Sequence, residues 1–556
     1  MNTAIEETRS PDTLAPPGTV GHAVLDEMHV GDITGAFGTI RQHDTAPRRS
    51  LRQRLLTLLA VMGPGLIVMI GDNDAGGVAT YTQAGQNYGT GLLWTLVLLA
   101  PVLYLNQEMV LRLGAVSGVG HGRLILERFG RFWAFFSVGD LFILNFLTIV
   151  TEFIGINLAL GFFGVSRYIS VPFACVFMIA IMGTGRFRTW ERAMFALIIP
   201  LNLIMIPMLI LSHPHVGDTA FHLTVPGFPG GLNSTLLLLI TAIVGTTVAP
   251  WQLFFQQSNV VDKRITPRWI RYERIDTLIG CALVIGGGVI LMLVTAGPLA
   301  HTNVFGQFSD PGATAASLKH FGHTALATLL AISLLELSMI GAVAVNLGST
   351  YTFGDVFRRR HSLHWKPMQA PAFYLAFAAS IIGGAVLVLI PGMPLGTLTV
   401  GVQALAGVLL PSATVFLLLL CNDHAVLGPW RNPGWLNALA SVIIGVLVLL
   451  SLILMATTVF PKINVTQFAL IGGAVLVVGL AGFGAWTMRG ARGGRAVTVI
   501  EEAPSVPKSQ WTMPQLTFLE PAVWSRGRKG AMLALRAYLV VSVVLLVVKA
   551  AQLGGA

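Results

Sequence analysis

The residues best suited to chemistry lie in one short stretch, GDNDAGG, which runs from Gly71 to Gly77. Asp72 and Asp74 bring two carboxylates into an apolar run that is long enough to cross a membrane, and Gly76 and Gly77 follow them. A carboxylate inside a membrane costs about 3 kcal/mol on insertion scales and usually has a function or a partner. Because glycine tolerates backbone that is not helical, the stretch predicts an unwound segment that binds an ion.

A second interruption, GTTVAPWQ, occupies Gly245 to Gln252 of another apolar run. Pro250 lacks a backbone donor and clashes with the preceding turn. Gly245 and the two threonines ease unwinding. An ordinary kink is the alternative for Pro250 alone, since proline is frequent in membrane helices. The two interruptions begin successive groups of five predicted spans, however, and this arrangement favours inverted repeats around a midplane site.

Four more acidic residues fall within predicted spans: Glu108, Asp140, Glu152 and Glu336. Arg112 stands four residues after Glu108, so we expect a local ion pair. For Asp140 and Glu336, structural and functional roles stay equally open. All 13 histidines lie outside the middle of the predicted spans, which argues against a histidine-ligated metalloenzyme and against a histidine proton relay.

The composition places these stretches in a membrane protein. Of the 556 residues, 54% are hydrophobic and 11% are charged, and the mean hydropathy is +0.73. Soluble domains carry about 25% charged residues. The net charge of +10 comes from loops between apolar runs, so it indicates membrane orientation rather than nucleic-acid binding. Cys175, Cys281 and Cys421 stand alone in separate runs and are interpreted as packing residues.

Twelve apolar runs are long enough to span a membrane, and a thirteenth contains Arg536. The predicted spans are 57–83, 90–112, 133–161, 168–185, 193–212, 234–258, 275–300, 322–349, 371–391, 396–421, 436–460 and 466–488, with 531–553 as the thirteenth. We expect the chain to divide into a disordered cytoplasmic tail (1–56), a first inverted repeat (57–212), a second inverted repeat (234–421), helices 11 and 12 (436–488), a cytoplasmic loop (489–530) and a helix 13 (531–553).

Basic residues mark alternate loops, beginning with RRSLRQR before the first span. The intervening loops have almost none, and the long loop 213–233 has no lysine or arginine. This alternation predicts a cytoplasmic N-terminus. The sequence has no organelle-targeting signal and its loops are short, so we expect an integral multi-pass protein of a prokaryotic plasma (inner) membrane.

Several motifs resemble the Nramp family of divalent-metal transporters. The matching stretches are the first helix with its Gly-Pro-Gly-Leu start (63–80), the end of helix two (107–118), the helix-three segment with a functional glutamate (151–160), helix six (245–258), the entry into helix seven (271–280) and helix ten (402–413). The resemblance covers about residues 57–460. It implies an all-α integral membrane protein with a LeuT-like fold: two inverted five-helix repeats (helices 1–5 and 6–10), broken helices 1 and 6, and two or three extra C-terminal helices.

The sequence departs from the family's motifs at the metal site. Asp74 retains the metal-binding carboxylate, but Gly77 replaces an asparagine ligand, Ala249 a methionine and Trp251 a histidine. A thioether disfavours hard cations, so its loss removes a preference for transition metals. Magnesium keeps several waters and binds few protein oxygens, which suits a roomier site. The pattern resembles the Nramp-related magnesium transporters.

Further departures concern proton coupling. Gln256 stands where a second histidine is usual, and Ile149 stands where helix three commonly has an aspartate. The predicted ninth span, 371–391, lacks the arginines that family members often have there. By this resemblance, the lost groups are the proton carriers, and transport is not coupled to protons.

The resemblance also implies a set of site residues. Asp74 would hold the ion directly or through water, and Ala249 and Gly77 would line the vacated space. The remaining implied donors are the carbonyls of Gly71 and Thr246, the hydroxyl of Thr247 and the amide of Gln403. Three residues are assigned to the ion path or to residual proton transfer: Asp72, which adds negative potential or pairs structurally, Glu152, and Trp251.

The expected function is alternating-access transport of a divalent cation, namely hydrated Mg²⁺, without proton coupling. One alternative is a proton-coupled Mn²⁺ or Fe²⁺ importer, whose mark would be the retained methionine and histidine. Another is a sodium-coupled carrier of organic solutes, in which two local aspartates would repel a substrate carboxylate. We find no nucleophile or metal constellation for an enzyme. The expected partners are the transported ion and the lipid bilayer, with no cofactor, no nucleic acid and no obligatory protein partner.

Overall fold

The computed structural model describes residues 23–391, 395–460, 463–493 and 506–522, together with single residues between 530 and 541. The first strands and helices are β1 (Ile33–Gly35), β2 (Gly38–Ile40), α1 (Leu51–Val61), α2 (Pro64–Ile70), α3 (Ala75–Tyr88), α4 (Leu93–Ser117), α5 (His121–Phe129), α6 (Arg131–Phe162), α7 (Arg167–Gly183), α8 (Phe187–Leu211), α9 (Val216–Thr224) and α10 (Ser234–Thr247). The later helices are α11 (Pro250–Asp262), α12 (Ile270–Ala296), α13 (Pro311–His320), α14 (Thr324–Phe357), α15 (Pro371–Leu389), α16 (Leu395–Cys421), α17 (His424–Leu427), α18 (Gly434–Val459) and α19 (Val465–Gly493).

The described helices form a multi-pass membrane protein. Ten helical segments, with α10 and α11 counted together, are long and apolar enough to cross a membrane, or eleven if the bent pair Leu51–Val61 and Pro64–Asn73 counts as one span. The fourth predicted span corresponds to the shorter apolar helix α7. The other predicted spans up to residue 488 each coincide with described helices, whereas most of 531–553 lies outside the described residues.

Both predicted helix breaks are present. In the first, α2 ends at Ile70, a 3-10 helix covers Gly71–Asn73, and Asp74 is extended, with ψ −172°, before α3 begins. In the second, α10 ends at Thr247, Val248 is not helical, Ala249 is extended, and α11 begins at Pro250. Proline suits that first position because its missing donor would have no helical partner there.

The predicted span 57–83 contains a further interruption that the sequence interpretation missed. Gly63 has φ +151°, which strongly favours glycine, and Pro64 then starts α2. The chain bends by 56° between α1 and the segment that follows. The first predicted span is therefore three helical pieces, α1, α2 and α3, rather than two halves.

The expectation of a disordered tail over 1–56 is wrong for residues 23–56. The strands β1 and β2 pair antiparallel, with Thr34 opposite Thr39, and the hairpin packs on α1 and α8. Residues 1–22 lie outside the described residues. Part of the predicted loop 489–530 is also ordered: Met513 is buried, donates its N–H to the Val116 carbonyl and accepts from the Ala23 N–H.

Small residues bring the second broken helix close to α16. A Cβ at Gly245 would overlap the backbone of Gln403 and Gly407, and a Cβ at Gly407 would lie 2.5 Å from the Thr241 carbonyl oxygen. The glycine predicted to ease unwinding therefore also sets this close helix contact. It places the side chain of Gln403, on α16, beside the first break.

Candidate metal-ion site

Asp74 occupies the first break and is almost fully buried, with 2% exposure. It caps α3, because its Oδ1 accepts a hydrogen bond of 2.8 Å from the Gly77 N–H. The N-terminus of a helix carries partial positive charge, so this position favours the carboxylate. Gly77 thus contributes a backbone donor to the carboxylate, and its missing side chain allows the Asp72 carbonyl and the Thr246 hydroxyl to approach closely.

Glu152 joins Asp74 at the same place. Its Oε2 accepts from the Ala75 N–H at 3.1 Å, and its Oε1 has no partner among the described residues. Both carboxylates lie against Gly341 of α14: a Cβ there would be 2.8 Å from the Asp74 Cβ and 2.9 Å from the Glu152 Oε2. The structure therefore brings together two acidic residues from predicted spans 1 and 3.

Gln403 reaches the first break from α16. Its Nε2 lies 3.5 Å from the Asp74 Oδ1, at the limit of a hydrogen bond. A Cβ at Gly76 would overlap the same amide. Gly76 therefore allows Gln403 to cross the start of α3, and the predicted proximity of Gln403 to Asp74 is present.

The two threonines at the end of α10 differ. Thr246 Oγ1 is buried without a partner among the described residues and would lie 3.2 Å from a Cβ at Gly77. Thr247 Oγ1 donates to the Ile243 carbonyl at 2.7 Å and lies 2.8 Å from the Tyr81 hydroxyl. Among the described residues, the Thr246 hydroxyl beside the break therefore has no hydrogen-bond partner. The Thr247 hydroxyl, which was expected to face the ion, is instead hydrogen-bonded to Tyr81 and so connects α10 to α3.

Ala249 and Trp251 lie at the second break. Ala249 is buried in extended backbone, so the side chain that precedes Pro250 is a methyl group. The Trp251 ring packs against Gly71, where a Cβ would be 3.4 Å from its Cη2, and meets the Phe255 ring edge-on at 5.9 Å. Trp251 therefore fills volume between the two breaks.

Asp72 has a protein partner of its own. Its Oδ1 accepts from the Gln252 side-chain amide, and the Gln252 Oε1 accepts from the Gln107 amide at 2.7 Å. The second oxygen of Asp72 is buried and has no partner among the described residues. Asp72 therefore ties the first broken helix to the second. Neither Gln252 nor Tyr81 was singled out from the sequence, and only their polar side chains in apolar runs could have suggested these contacts.

The remaining acidic residues have separate surroundings. Glu108 pairs with Arg112 at 3.1 Å, as predicted, and also with Arg274 at 2.5 Å. Asp140 lines a small cavity between α6, α11 and α16 together with Ser137 and Pro250. Glu336 has one buried oxygen without a partner in the described chain.

Within the described residues, no group of three or more histidine, cysteine, aspartate or glutamate side chains is arranged to hold a metal ion. A cation at Asp74 would therefore depend on a pair of carboxylates, backbone carbonyls, amide or hydroxyl oxygens and water.

Two discontinuous helices that place buried polar groups within a bundle of apolar helices define a membrane transporter of the LeuT-like fold. The chain belongs to the Nramp family: the family profile described as "Natural resistance-associated macrophage protein-like" matches residues 65–457. The predicted family resemblance is thus confirmed, and with it the interpretation of a transporter rather than an enzyme. The magnesium branch stays a prediction.

The relatives and structural neighbours agree with this assignment. The divalent metal cation transporter MntH of Klebsiella pneumoniae (strain 342) is 25% identical over 399 residues, which cover 71% of this chain and 93% of that protein. MntH of Burkholderia ambifaria is 26% identical over 414 residues, covering 70% and 89%. A mutant of the Eremococcus coleocola manganese transporter has the same fold, with a TM-score of 0.59, 21% identity, and coverage of 85% of this chain and 99% of that one.

Proposed function

We propose that this protein transports divalent metal cations across a membrane by alternating access. The pair Asp74 and Glu152 carries the proposal, since both carboxylates are buried beside Gly341 at the break of the first helix. Neighbouring carboxylates in a dry site repel each other unless a cation or proton lies nearby. The names of the MntH relatives support a divalent metal as that cation.

The finer proposal is that the substrate is hydrated Mg²⁺. The segments Gly71–Gly77 and Val248–Trp251 contain no sulfur and no imidazole, so the donors they offer are oxygens. The Asp74 carboxylate, the Thr246 hydroxyl and the Gln403 amide lie around the first break, and neither Gly77 nor Ala249 adds a donor side chain there. A few protein oxygens, with water in the remaining positions, match the coordination of Mg²⁺.

We also propose that Mg²⁺ moves without protons. An inside-negative potential supplies about 4.6 kcal/mol per 100 mV to a doubly charged ion, which suffices for accumulation. Ile149 packs on Gly384 of α15, where a Cβ would be 2.8 Å from its Cγ2, so an apolar contact occupies the position at which the family resemblance implies an aspartate.

The second candidate is proton-coupled Mn²⁺ transport. The name of the Eremococcus manganese transporter favours Mn²⁺, and Glu152 beside Asp74 is a carboxylate that a proton could occupy. A sodium-coupled carrier of organic anions fits less well, because the two carboxylates at Gly341 would repel an anionic substrate.

The test is an uptake assay with purified protein in liposomes that contain a magnesium dye and a separate pH dye. Under an inside-negative potential, we expect wild-type protein to admit Mg²⁺ without acidification and Asp74→Asn to reduce the rate at least about 100-fold. Asp218→Asn, which removes an exposed carboxylate on α9, is the matched control and should transport normally. Manganese entry with acidification and no magnesium signal would replace the magnesium proposal by the second candidate.

We propose that the two inverted repeats occupy 57–212 and 234–421, and that the N-terminus is cytoplasmic in a prokaryotic plasma membrane. The alternation of basic loops and the bacterial sources of the relatives support this. With intact cells, an impermeant thiol reagent should label Asp218→Cys and leave Arg186→Cys unlabelled. The reverse pattern would invert the orientation.

A further inference from the structure

The N-terminal hairpin lies where four elements of the transporter meet. Its turn, Ala36 and Phe37, contacts α8, and its strands contact α1. At the same place α1 ends at Val61, α2 begins at Pro64, and α11 ends at Asp262. The hairpin thus covers the ends of both broken helices that are farthest from the candidate ion site.

A buried ion pair joins these elements. Lys263 Nζ lies 2.5 Å from Glu191 Oε1, and both side chains are 0% exposed. The same ammonium donates to the Met62 carbonyl at 2.6 Å, while the Ala36 N–H donates to Glu191 Oε2. One pair of charges therefore connects α11, α8, the end of α1 and the hairpin turn.

Gly63 fits this ion pair closely. A Cβ there would overlap Glu191 Oε1 and lie 2.9 Å from Lys263 Nζ. The carboxylate of Asp276 on α12 accepts the N–H groups of Gly63 at 3.0 Å and Gly65 at 2.8 Å. The start of α2 is therefore fixed between a carboxylate of α12 and the charge pair under the hairpin.

Arginines hold the backbone of the N-terminal segment from both sides. From α8, Arg188 Nε donates to the Gly35 carbonyl at 3.1 Å and Arg192 Nε donates to the Ala36 carbonyl at 3.0 Å. From the end of α11, Arg264 Nε donates to the Met28 carbonyl at 2.9 Å. These charge-assisted hydrogen bonds attach the same segment to α8 and to the second broken helix.

The ion site and this junction lie at opposite ends of the same half-helices. Seven residues of α2 span about 10 Å between the junction and the first break, and thirteen residues of α11 span about 20 Å to the second break. Alternating access requires a group of helices to move against the rest of the protein around the site. If α2 and α11 move relative to α8, the Glu191–Lys263 pair and the hairpin contacts must separate.

We propose that residues 26–44 form a latch that closes the ion route at this end and must detach from α8 in each transport cycle. The inference rests on the proposed alternating-access function. Opening would bring water to Glu191, Lys263 and Asp276. The carboxylates of Glu191 and Asp276 would then face the departing cation. The latch explains why charged groups are buried at a helix end that has no part in holding the ion.

A reversible cross-link between the hairpin turn and α8 tests the latch. The Phe37 and Phe195 rings are 4.7 Å apart, so cysteines at both positions can be joined by a short, reducible bis-methanethiosulfonate. The control is Thr34→Cys with Thr39→Cys, which joins only the two paired strands. The native cysteines are buried, which limits reaction elsewhere.

We expect the cross-link between the turn and α8 to slow uptake of Mg²⁺ or Mn²⁺ at least tenfold and to slow hydrogen exchange of the α2 amides. Reduction should restore both, and the control cross-link should change neither. If the cross-link changes neither the hydrogen exchange of the α2 amides nor the uptake of the cation, the latch proposal is overturned. Slower exchange in a protein that moves no cation, even when reduced, would support the latch and contradict the proposed transport function.

A second pair of variants avoids the cross-link. Arg188→Ala with Arg192→Ala removes two of the bonds to the hairpin, whereas Arg186→Ala removes an exposed arginine just before α8. Exchange in α2 should become at least tenfold faster in the double variant alone. Equal exchange in the two proteins would count against the latch.

Discussion

At the scale of single residues, the two aspartates of the first break differ in their partners. Asp74 faces Glu152 and Gln403, and its Oδ1 accepts a hydrogen bond from the backbone N–H of Gly77. Asp72 is bound by the Gln252 amide on the other broken helix. This difference could not be predicted from spacing alone, because residues two apart near a helix break take directions that depend on tertiary contacts.

Gly76→Ala should weaken ion binding while the fold is retained. The added methyl group would overlap the Gln403 amide, whose long side chain can move aside and leave Asp74. We expect the KM for the transported ion to rise about tenfold with little change in maximal rate, because a binding contact is lost.

Gly139→Ala is the control, since a Cβ there meets nothing within 4 Å. Gly76→Ala in a Gln403→Ala background should cause no further loss. A full additional tenfold effect in that background would show that Gln403 is not the affected group.

Gln252→Leu should destabilise the protein more than the same substitution at Gln256. The first leaves the buried Asp72 without its amide donor, whereas the second removes a 3.0 Å bond to the neutral Thr277 hydroxyl. An unsatisfied buried polar group costs about 1–3 kcal/mol, and more if it is charged, while a neutral hydrogen bond is worth about 1 kcal/mol. Thermal unfolding in detergent measures the stability of both variants. Equal losses of stability would contradict the role of the Asp72–Gln252 hydrogen bond in joining the two broken helices.

At the scale of elements, the helix breaks were predictable because their causes are local. Glycine, proline and a capping aspartate act on their own backbone, as Pro250 and Asp74 show. The bend at Gly63 has the same cause and was missed because the apolar run continues through it. The hairpin β1–β2 was not predictable in this way, since arginines and a glutamate on α8 hold its backbone.

The loop after α14 should make stability depend on pH. Burial lowers the pKa of His361, but the hydrogen bond and charge of Asp355 raise it above its ordinary value of 6.5. Because the folded pKa is the higher one, the stabilisation is complete below about pH 6.5 and is lost as the pH rises through the folded pKa.

Unfolding of His361→Gln, measured from pH 5 to 9, should show its largest loss relative to wild type at the acidic end. His364→Gln is the comparison with opposite sign, because burial lowers the pKa of His364 and its stabilisation is therefore present at higher pH. Parallel losses at all pH values would show that neither imidazole is linked to folding.

At the scale of the whole molecule, the sequence indicated the family, the fold and the pair of broken helices. Apolar runs, and the motifs that interrupt them, can be recognised from the order of the residues alone. It did not indicate that the segments around Ala23 and Met513 fold back on the helices. Those contacts depend on backbone groups of Ala23, Val116 and Met513, which are far apart in the chain and carry no charge.

The contact between Ala23 and Met513 also fixes the parity of the membrane crossings. Two backbone groups joined at 2.9 Å lie on one side of the bilayer, so the chain between them crosses an even number of times. Ten long helical segments and the first broken helix, α2 continued by α3, make eleven crossings in the described chain, and an even total then needs α7 as well. Its 17 residues span about 25 Å, close to the hydrocarbon thickness of about 30 Å.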